Sequence, residues 1–299
     1  MNAAEQYPQI EGFLNYIKFE KRYSQHTVLS YETDLLQFFS FLISQYDGRS
    51  IKQVSQLMVR SWLAELREDA QVAKTINRKI STLKSFFKFA VRSEWIIQSP
   101  AATIISPKMS KRLPQFVEQN DIETLLTHVE FSDNFRGTTE KLMLEFFYHC
   151  GLRVSELINL KITQVDFSNC QVKILGKGNK ERIIPLQPAL LQRLQQYVND
   201  WPKDEALAAN VFVNKKYKAF NRREVYEIVK RNLSYVTTIQ KKSPHILRHS
   251  FATHLSSNGA DINAVKELLG HSSLAATQVY IHNNIEKLKE AYKSAHPKA

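Results

Sequence analysis

The sequence has few of the features that mark secreted and membrane proteins. Its 299 residues include two cysteines, Cys150 and Cys170, which are too few for a disulfide framework. No apolar run is long enough for a signal peptide or a membrane span, and no lipidation signal is present. These absences predict a protein of the cytoplasm that does not bind membranes.

Two common catalytic motifs are also missing. The string GKGNK at 176–180 lacks the spacing of a phosphate-binding P-loop, G-x-x-x-x-G-K-[ST]. His245 and His249 have the i, i+4 spacing of a helical zinc pair, but the glutamate of an H-E-x-x-H site is absent between them. Ile246 stands in its place, and Arg248, which also lies between the two histidines, would repel a dication. A zinc site is therefore disfavoured, and we expect no cofactor.

Acidic residues are fewer than basic ones, 29 against 41, which gives a formal net charge of +12. Since no lipidation signal points to a lipid surface, this charge favours a nucleic acid as partner. Hydrophobic residues make up 43% of the whole sequence, enough for two domains with their own cores.

The first domain, predicted over 1–106, is composed of helices. Hydrophobic periodicity and start signals place them at 10–21, at 26–45 after Ser24, from Ser55 onward, and at 74–92. In the last helix an apolar stripe contains Ile76, Ile80, Leu83, Phe87 and Ala90. The opposite face carries cations that could follow DNA phosphates, Lys74, Arg78, Lys84, Lys88 and Arg92. A merely solvated face is the alternative.

A basic segment with two prolines, 107–114, is the predicted linker. Before it, 13 Lys and Arg oppose 10 Asp and Glu, a net of +3; residues 107–299 have 28 against 19, a net of +9. Most of the positive surplus therefore lies in the linker together with the second domain, which is predicted over 115–299.

The second domain mixes helices with a small sheet. Helices are predicted from Asn120 or Asp121, over 138–150 up to Gly151, and over 187–198 and 222–233. Strands at 171–175 and 180–185 form a hairpin around a turn, and 211–213 is a further short strand. At the start of helix 222–233 we expect Arg222 and Arg223 to contact phosphates.

The stretch 243–282 gathers residues suited to catalysis. Ser243 and Pro244 begin a helix that places His245 and Arg248 one turn apart. A second helix, capped by Asp261 and ended by Gly270, delivers His271, and a third, begun by Ser272 or Ser273, carries Tyr280. A lone histidine or tyrosine is more often structural. Together, these groups suit transfer of a phosphoryl group to a phenolic oxygen.

The strings HILRH and LGHSS, followed by a tyrosine nine residues after His271, resemble the tyrosine recombinase (phage integrase) family. The string GLRVSEL at 151–157 matches another family motif, in which Arg153 is the first arginine and Glu156 the acidic residue that orients the site. Lys177 in the hairpin turn matches the family's lysine.

This resemblance implies a mainly α fold. A SAM-like, four-helix DNA-binding domain would join a catalytic domain of helices and a small β-hairpin sheet, and the two would form a C-shaped clamp around DNA. The implied catalytic residues are Arg153, Lys177, His245, Arg248 and His271, with Tyr280 as the nucleophile that forms a 3′-phosphotyrosine. Neither metal nor ATP is implied.

The short connecting segments look most like the Xer subgroup, which resolves chromosome dimers. Implied partners are double-stranded DNA with a near-palindromic site, a recombinase tetramer on paired sites, a second related recombinase and a DNA-translocase activator. An amphipathic tail helix at 285–292 would dock on a neighbouring subunit, and the protein would act at the nucleoid.

Three other classes stay open. An integrase or transposase of a mobile element would normally carry an arm-binding domain, for which residues 1–7 are too short. A type IB topoisomerase would relax DNA without a specific site. A non-catalytic DNA-binding protein would lack at least one of the six catalytic residues.

Overall fold

The computed structural model describes residues 3–108, 115–176, 180–200, 210–214 and 218–270. The chain divides into two compact units, Met1–Arg112 and Leu113–Ala299. Each unit has its own cluster of buried hydrophobic residues. Within those described ranges, no helix combines the length and the apolar character needed to cross a membrane.

The first unit is helical. Its elements are α1 (Ala3–Gln6), α2 (Gln9–Asn15) with a following π-helical turn (Tyr16–Glu20), α3 (Gln25–Tyr46), a 3-10 turn (Ile51–Gln53), α4 (Gln56–Glu68) and α5 (Ala73–Arg92). The four predicted helices are confirmed, and α1 is an addition. Ser24 caps α3 by accepting the Thr27 N–H, and Ser55 caps α4 by accepting the Met58 N–H.

The predicted apolar stripe of α5 is buried throughout. It faces an aromatic core in which Phe13 meets Phe86 edge to face at 5.5 Å between ring centroids. Phe38 packs in the same way on Trp62 at 5.1 Å. Burial of this one face leaves the cationic face of α5 on the outside of the unit.

A buried ion pair ties α3 to α5. Asp34 is fully buried and accepts hydrogen bonds from Lys79 at 3.0 Å and Thr82 at 2.9 Å, both on α5. Arg78, from the cationic face, also pairs with this carboxylate. Because a buried charge without a partner is costly, these bonds hold α5 at one rotation about its axis.

The second unit is built from helices around a three-stranded sheet. Its elements are α6 (Gln119–Thr127), α7 (Phe135–Cys150), α8 (Val154–Ile158), a 3-10 turn (Ile162–Gln164), β1 (Val165–Asp166), β2 (Gln171–Leu175), β3 (Glu181–Pro185), α9 (Pro188–Asn199), α10 (Arg222–Leu233), α11 (Pro244–Ser257) and α12 (Ile262–Leu269). The predicted strand at 211–213 is wrong. These residues are apolar because they are buried; Val211 donates to the Leu160 carbonyl, and Val213 makes a single bridge to Ala219.

The sheet is antiparallel, in the order β1-β2-β3. Val172 pairs with Ile184 and Ile174 pairs with Arg182, so these four residues share one face. All four are buried against the unit's core. An arginine therefore occupies an inward-facing position in an otherwise apolar layer.

Candidate active site

Glu156 lies at the centre of a cluster of arginines in the second unit. Its carboxylate accepts hydrogen bonds from Arg153 Nη1 at 2.6 Å and from Arg182 Nη1 and Nη2 at 3.0 and 2.8 Å. Arg248 Nη1 lies 3.8 Å from the same carboxylate. The Glu156 side chain is 3% exposed, whereas that of Arg153 is 29% exposed. The structure thus brings Arg153, Glu156 and Arg248 together, with Arg153 facing solvent.

A glycine turn lets α7 end close to α11. Gly151 follows α7 in the left-handed region, with a φ of +56°. A β-carbon there would lie 2.6 Å from the Phe251 ring of α11, so only glycine fits both the backbone and the contact. Glu156 then caps α8 by accepting the Arg153 backbone N–H at 2.8 Å. This turn places Arg153 beside α11.

The C-terminal turn of α12 supplies the other acceptors of the cluster. Three consecutive carbonyl groups, those of residues 268–270, each accept a hydrogen bond from a different arginine. The pairs are Arg182–Leu268 at 2.7 Å, Arg248–Leu269 at 2.5 Å and Arg153–Gly270 at 3.2 Å. The last carbonyls of a helix have no partner within it, and the helix dipole makes this end negative. Hydrogen bonds and charge therefore both hold the arginines at this helix end.

Burial and like charges set the protonation of the cluster. Burial, followed by the positive charge of Arg153, lowers the pKa of Arg248 to about 9, although Glu156 opposes the shift. Burial alone would raise the pKa of Glu156, but hydrogen bonds and charge from Arg182, and hydrogen bonds from Arg153, lower it overall. Glu156 is therefore ionised at neutral pH.

His245 lies in the first turn of α11 and stays open to solvent. Partial burial, followed by the charges of Arg248, Arg153 and Lys241, lowers its pKa below the ordinary 6.5. At neutral pH the imidazole is thus largely neutral and able to accept a proton. Ser243 occupies the N-cap position of α11 but makes no capping hydrogen bond.

Several predicted features lie outside the described residues. These are Lys177 in the hairpin turn, His271, the helix begun by Ser272 or Ser273, Tyr280 and the tail helix at 285–292. The elements that lead to them are described. Gly176 donates its N–H to the Lys180 carbonyl at 2.8 Å and so closes the hairpin, and Gly270 ends α12 in the left-handed region as predicted.

Sequence reasoning missed Arg182. Its side chain is 7% exposed and makes three hydrogen bonds, two to Glu156 and one to the end of α12. The signal was present in the strand alternation, because Arg182 stands two residues before Ile184, on the inward face. A charge at an apolar position of a strand predicts a buried counter-charge.

The predicted DNA-binding cations of α5 differ in their surroundings. Lys74 and Lys88 are exposed and Lys84 is half-buried; within the part of the chain that the structure describes, none of the three side chains has an ion pair or hydrogen bond. Arg78 pairs with Asp34. Arg92 lies over the Tyr16 ring at 4.2 Å. The two arginines are therefore partly engaged in the fold, and the three lysines are not.

Arg222 and Arg223 form the exposed first turn of α10. Asn221 caps this helix by accepting the Glu224 N–H at 3.0 Å. The free N–H groups of a helix start and two arginines together make a site that favours anions. Among the residues described, no three His, Cys, Asp or Glu side chains come close enough to hold a metal ion.

Two family models match the chain. "Phage integrase family" covers residues 115–287, which include the arginine cluster, and "Phage integrase, N-terminal SAM-like domain" covers residues 10–94. The chain belongs to the phage integrase family. It is a tyrosine recombinase, a site-specific enzyme that cleaves and rejoins DNA, as the sequence motifs predicted.

Similar proteins of this family match the tyrosine recombinase along almost its whole length. It is 37% identical to the tyrosine recombinase XerC of Halalkalibacterium halodurans over 297 residues, which cover 97% of each chain. It is 34% identical to the tyrosine recombinase XerD of Staphylococcus saprophyticus over 293 residues, 97% of this chain and 99% of that relative.

Solved structures share the recombinase's fold. XerH bound to a palindromic difH substrate, in a post-cleavage complex, matches with a TM-score of 0.70 and 24% identity, over 89% of this chain and 78% of that one. The Tn1549 transposon integrase in complex with transposon right end DNA matches with a TM-score of 0.72 and 18% identity, over 97% and 98%. The predicted fold class, mainly helical with a small sheet, is confirmed.

Proposed function

We propose that this recombinase resolves chromosome dimers at one near-palindromic site, with the cluster around Glu156 as its phosphate-binding centre. The observation that carries the proposal is that Arg153 and Arg248 converge on the Glu156 carboxylate, with nitrogens 2.6 and 3.8 Å from its oxygens. The near-complete match to proteins named XerC and XerD supports the chromosomal role. Such an enzyme works in the cytoplasm, at the nucleoid.

In this proposal Tyr280 is the nucleophile. Its phenolic oxygen attacks the scissile phosphorus and forms a 3′-phosphotyrosine, while the bond to the 5′-oxygen breaks. Lys177 gives a proton to that leaving oxygen, and His271 donates a hydrogen bond to the phosphate. A 5′-hydroxyl later attacks the phosphotyrosine and releases Tyr280. Because the ester keeps the energy of the broken bond, the enzyme needs no ATP.

Arg153 and Arg248 bind the non-bridging oxygens of the phosphate. Each guanidinium has more N–H donors than its bonds to Glu156 and to backbone carbonyls use, so donors remain for the substrate. Their fixed charges stabilise the transition state without a metal ion. Neutral His245 takes the proton of Tyr280 and returns it when the strand is resealed.

Strand exchange requires protomers on two sites. We propose a tetramer on paired sites, with a second related recombinase and an activating DNA translocase, because the chain resembles both XerC and XerD. The predicted tail helix at 285–292 would link neighbouring protomers.

Covalent capture tests the chromosomal role. Protein-linked DNA is purified under denaturing conditions from host cells that express the tagged recombinase, and is then sequenced. Only covalent complexes survive denaturation, so the sequenced DNA marks the sites of cleavage. We expect one near-palindromic chromosomal site. Adducts at the ends of a mobile element would indicate an integrase instead. Adducts scattered over the chromosome would indicate a relaxing topoisomerase.

The cationic face of α5 is proposed to contact the DNA backbone. It presents Lys74, Lys84 and Lys88 without competing ion pairs within the residues described, whereas Arg78 and Arg92 are held by Asp34 and Tyr16. Among these five cations, the three lysines are thus the ones most available to phosphates. Arg222 and Arg223, at the start of α10, are proposed to contact phosphates from the catalytic unit.

We expect the lysines of α5 to set part of the salt dependence of DNA binding. Each lost phosphate contact lowers the slope of log K against log salt by about 0.9. The triple variant Lys74→Ala, Lys84→Ala, Lys88→Ala should thus flatten the slope by up to about 3 units, as measured by fluorescence anisotropy across salt concentrations. Lys52→Ala, an exposed lysine outside α5, is the control. An unchanged slope in the triple variant would mean that the face is only solvated.

A further inference from the structure

Arg182 connects three elements of the candidate site, and the protein itself supplies partners for its side-chain nitrogens. It stands in β3, binds both oxygens of Glu156 on α8, and donates Nε to the Leu268 carbonyl at the end of α12. Each of its three nitrogens therefore has a protein partner, and its side chain is 7% exposed. Arg182 is thus placed to act through other residues.

A buried ion pair of this kind is a poor source of stability. Removing two charges from water costs about as much as their attraction returns, and apolar replacements are often equally stable. An inward position in a sheet would normally hold an apolar side chain, as Ile174 and Ile184 do. The presence of Arg182 there is better explained by the geometry that it imposes on its partners.

That geometry concerns the last turn of α12. A single hydrogen bond would leave the helix end free to rotate, but carbonyls 268–270 are bound from three directions by arginines on different elements. Gly270 also packs closely against Arg182: a β-carbon at position 270 would lie only 3.1 Å from Arg182 Cδ. The chain continues from this turn directly into His271.

We propose that Arg182 is a positioning residue for DNA cleavage, which holds Glu156 and the end of α12 so that Arg153 and Arg248 meet the phosphate together. This inference rests on the proposed roles of those two residues. Arg182 itself does not touch the substrate. Its loss should therefore slow the chemical step and leave DNA affinity nearly unchanged.

The test uses Arg182→Gln and Arg182→Lys in the full-length protein. The rate of covalent adduct formation is measured in single turnover at saturating nicked DNA, beside the dissociation constant for DNA. We expect Arg182→Gln to slow cleavage on the order of 100-fold, because small misplacements of reacting groups cost about that much. Arg182→Lys should recover only part of the rate, since an ammonium cannot bind Glu156 in a bidentate manner and also reach Leu268.

A pH profile separates positioning from simple loss of structure. The charged groups facing Glu156 among its described contacts are Arg153 at the N-cap of α8, Arg182 from β3 and Arg248 from α11. Burial raises the pKa of the Glu156 carboxyl, and the hydrogen bonds and charge of Arg182 lower it. Without Arg182, this pKa should therefore rise. Cleavage by Arg182→Gln should then be lost, as pH falls, at a higher pH than in the wild-type enzyme.

Arg193→Gln is the matched control. Arg193 pairs at 3.0 Å with another buried carboxylate of the same unit, Glu145, outside the cluster. The Arg193→Gln variant should unfold at a lower temperature than the wild-type enzyme, yet cleave DNA at the wild-type rate. If Arg182→Gln does not fold, Arg182→Lys decides the question through its rate and affinity.

Two results would overturn the inference. One is a wild-type cleavage rate in either Arg182 variant that folds, and the other is an equal loss of rate in Arg193→Gln. Failure of the proposed cleavage chemistry looks different, because the wild-type enzyme would then form no adduct at Tyr280, whereas a different DNA target would leave both the adduct and the role of Arg182 intact. An intact wild-type adduct with unimpaired Arg182 variants would reject only the role of Arg182.

Discussion

Tyr280→Phe should form no covalent adduct with nicked DNA, although it should bind that DNA as tightly as the wild-type enzyme. Phenylalanine keeps the ring but lacks the oxygen that attacks phosphorus. Loss of a nucleophile typically slows catalysis on the order of 10⁴-fold or more, so the adduct should fall below detection. Denaturing gel electrophoresis of the trapped complex measures the adduct, and anisotropy measures binding.

The control for this experiment is Tyr235→Phe, which removes the hydroxyl of an exposed tyrosine in the same unit. It should form the adduct at the wild-type rate. A persistent adduct in Tyr280→Phe would show that another residue is the nucleophile. A variant that no longer binds DNA would also form no adduct. The enzyme is therefore shown to be saturated with DNA before each rate is measured.

Arg153→Ala and Arg248→Ala should each slow cleavage on the order of 100- to 1,000-fold, because each removes a fixed charge from the transition state. EDTA should not change the wild-type rate, since the arginines supply the charge that a metal ion would otherwise provide. Single-turnover adduct formation, with and without EDTA, measures both effects. Arg153→Ala is the cleaner variant because the Arg153 side chain is partly exposed, whereas Arg248 is buried.

Arg136→Ala serves as the reference for this pair. Arg136 also pairs with a buried glutamate, Glu140, at 2.9 Å, but lies in the first turn of α7 and outside the cluster. Its cleavage rate should equal that of the wild-type enzyme. Inhibition by EDTA that zinc or magnesium reverses would favour a metal site and reject the charge-based mechanism.

Local signals in the sequence predicted the secondary structure well. The apolar period of α5 identified its buried face, and Asp261 and Gly270 identified both ends of α12. Such signals depend only on residues within one or two helical turns of each other, so they can be read directly from the sequence. The predicted strand at 211–213 failed because a short apolar run is equally compatible with buried irregular backbone.

Partners far apart in the sequence could not be predicted in this way. The three-residue spacing of Arg153 and Glu156 indicated their contact, but nothing local indicated that Arg182 and Arg248 approach the same carboxylate. Arg78 is a second case, because periodicity placed it on the outer face of α5 but could not reveal its bond to Asp34. Periodicity identifies a face, whereas partners depend on how the faces pack.

The proposed phosphate-binding role of the cluster around Glu156 also links folding to DNA. Three guanidinium groups share one carboxylate, and burial with mutual repulsion lowers the pKa of Arg248 to about 9. In the proposed complex, the single negative charge of a phosphodiester offsets part of this excess positive charge in the folded protein, whereas the unfolded chain has no such site. By mass action, DNA at 100 times its dissociation constant would add about 2.7 kcal/mol to the free energy of unfolding. The DNA-bound recombinase should therefore resist unfolding more than the free recombinase.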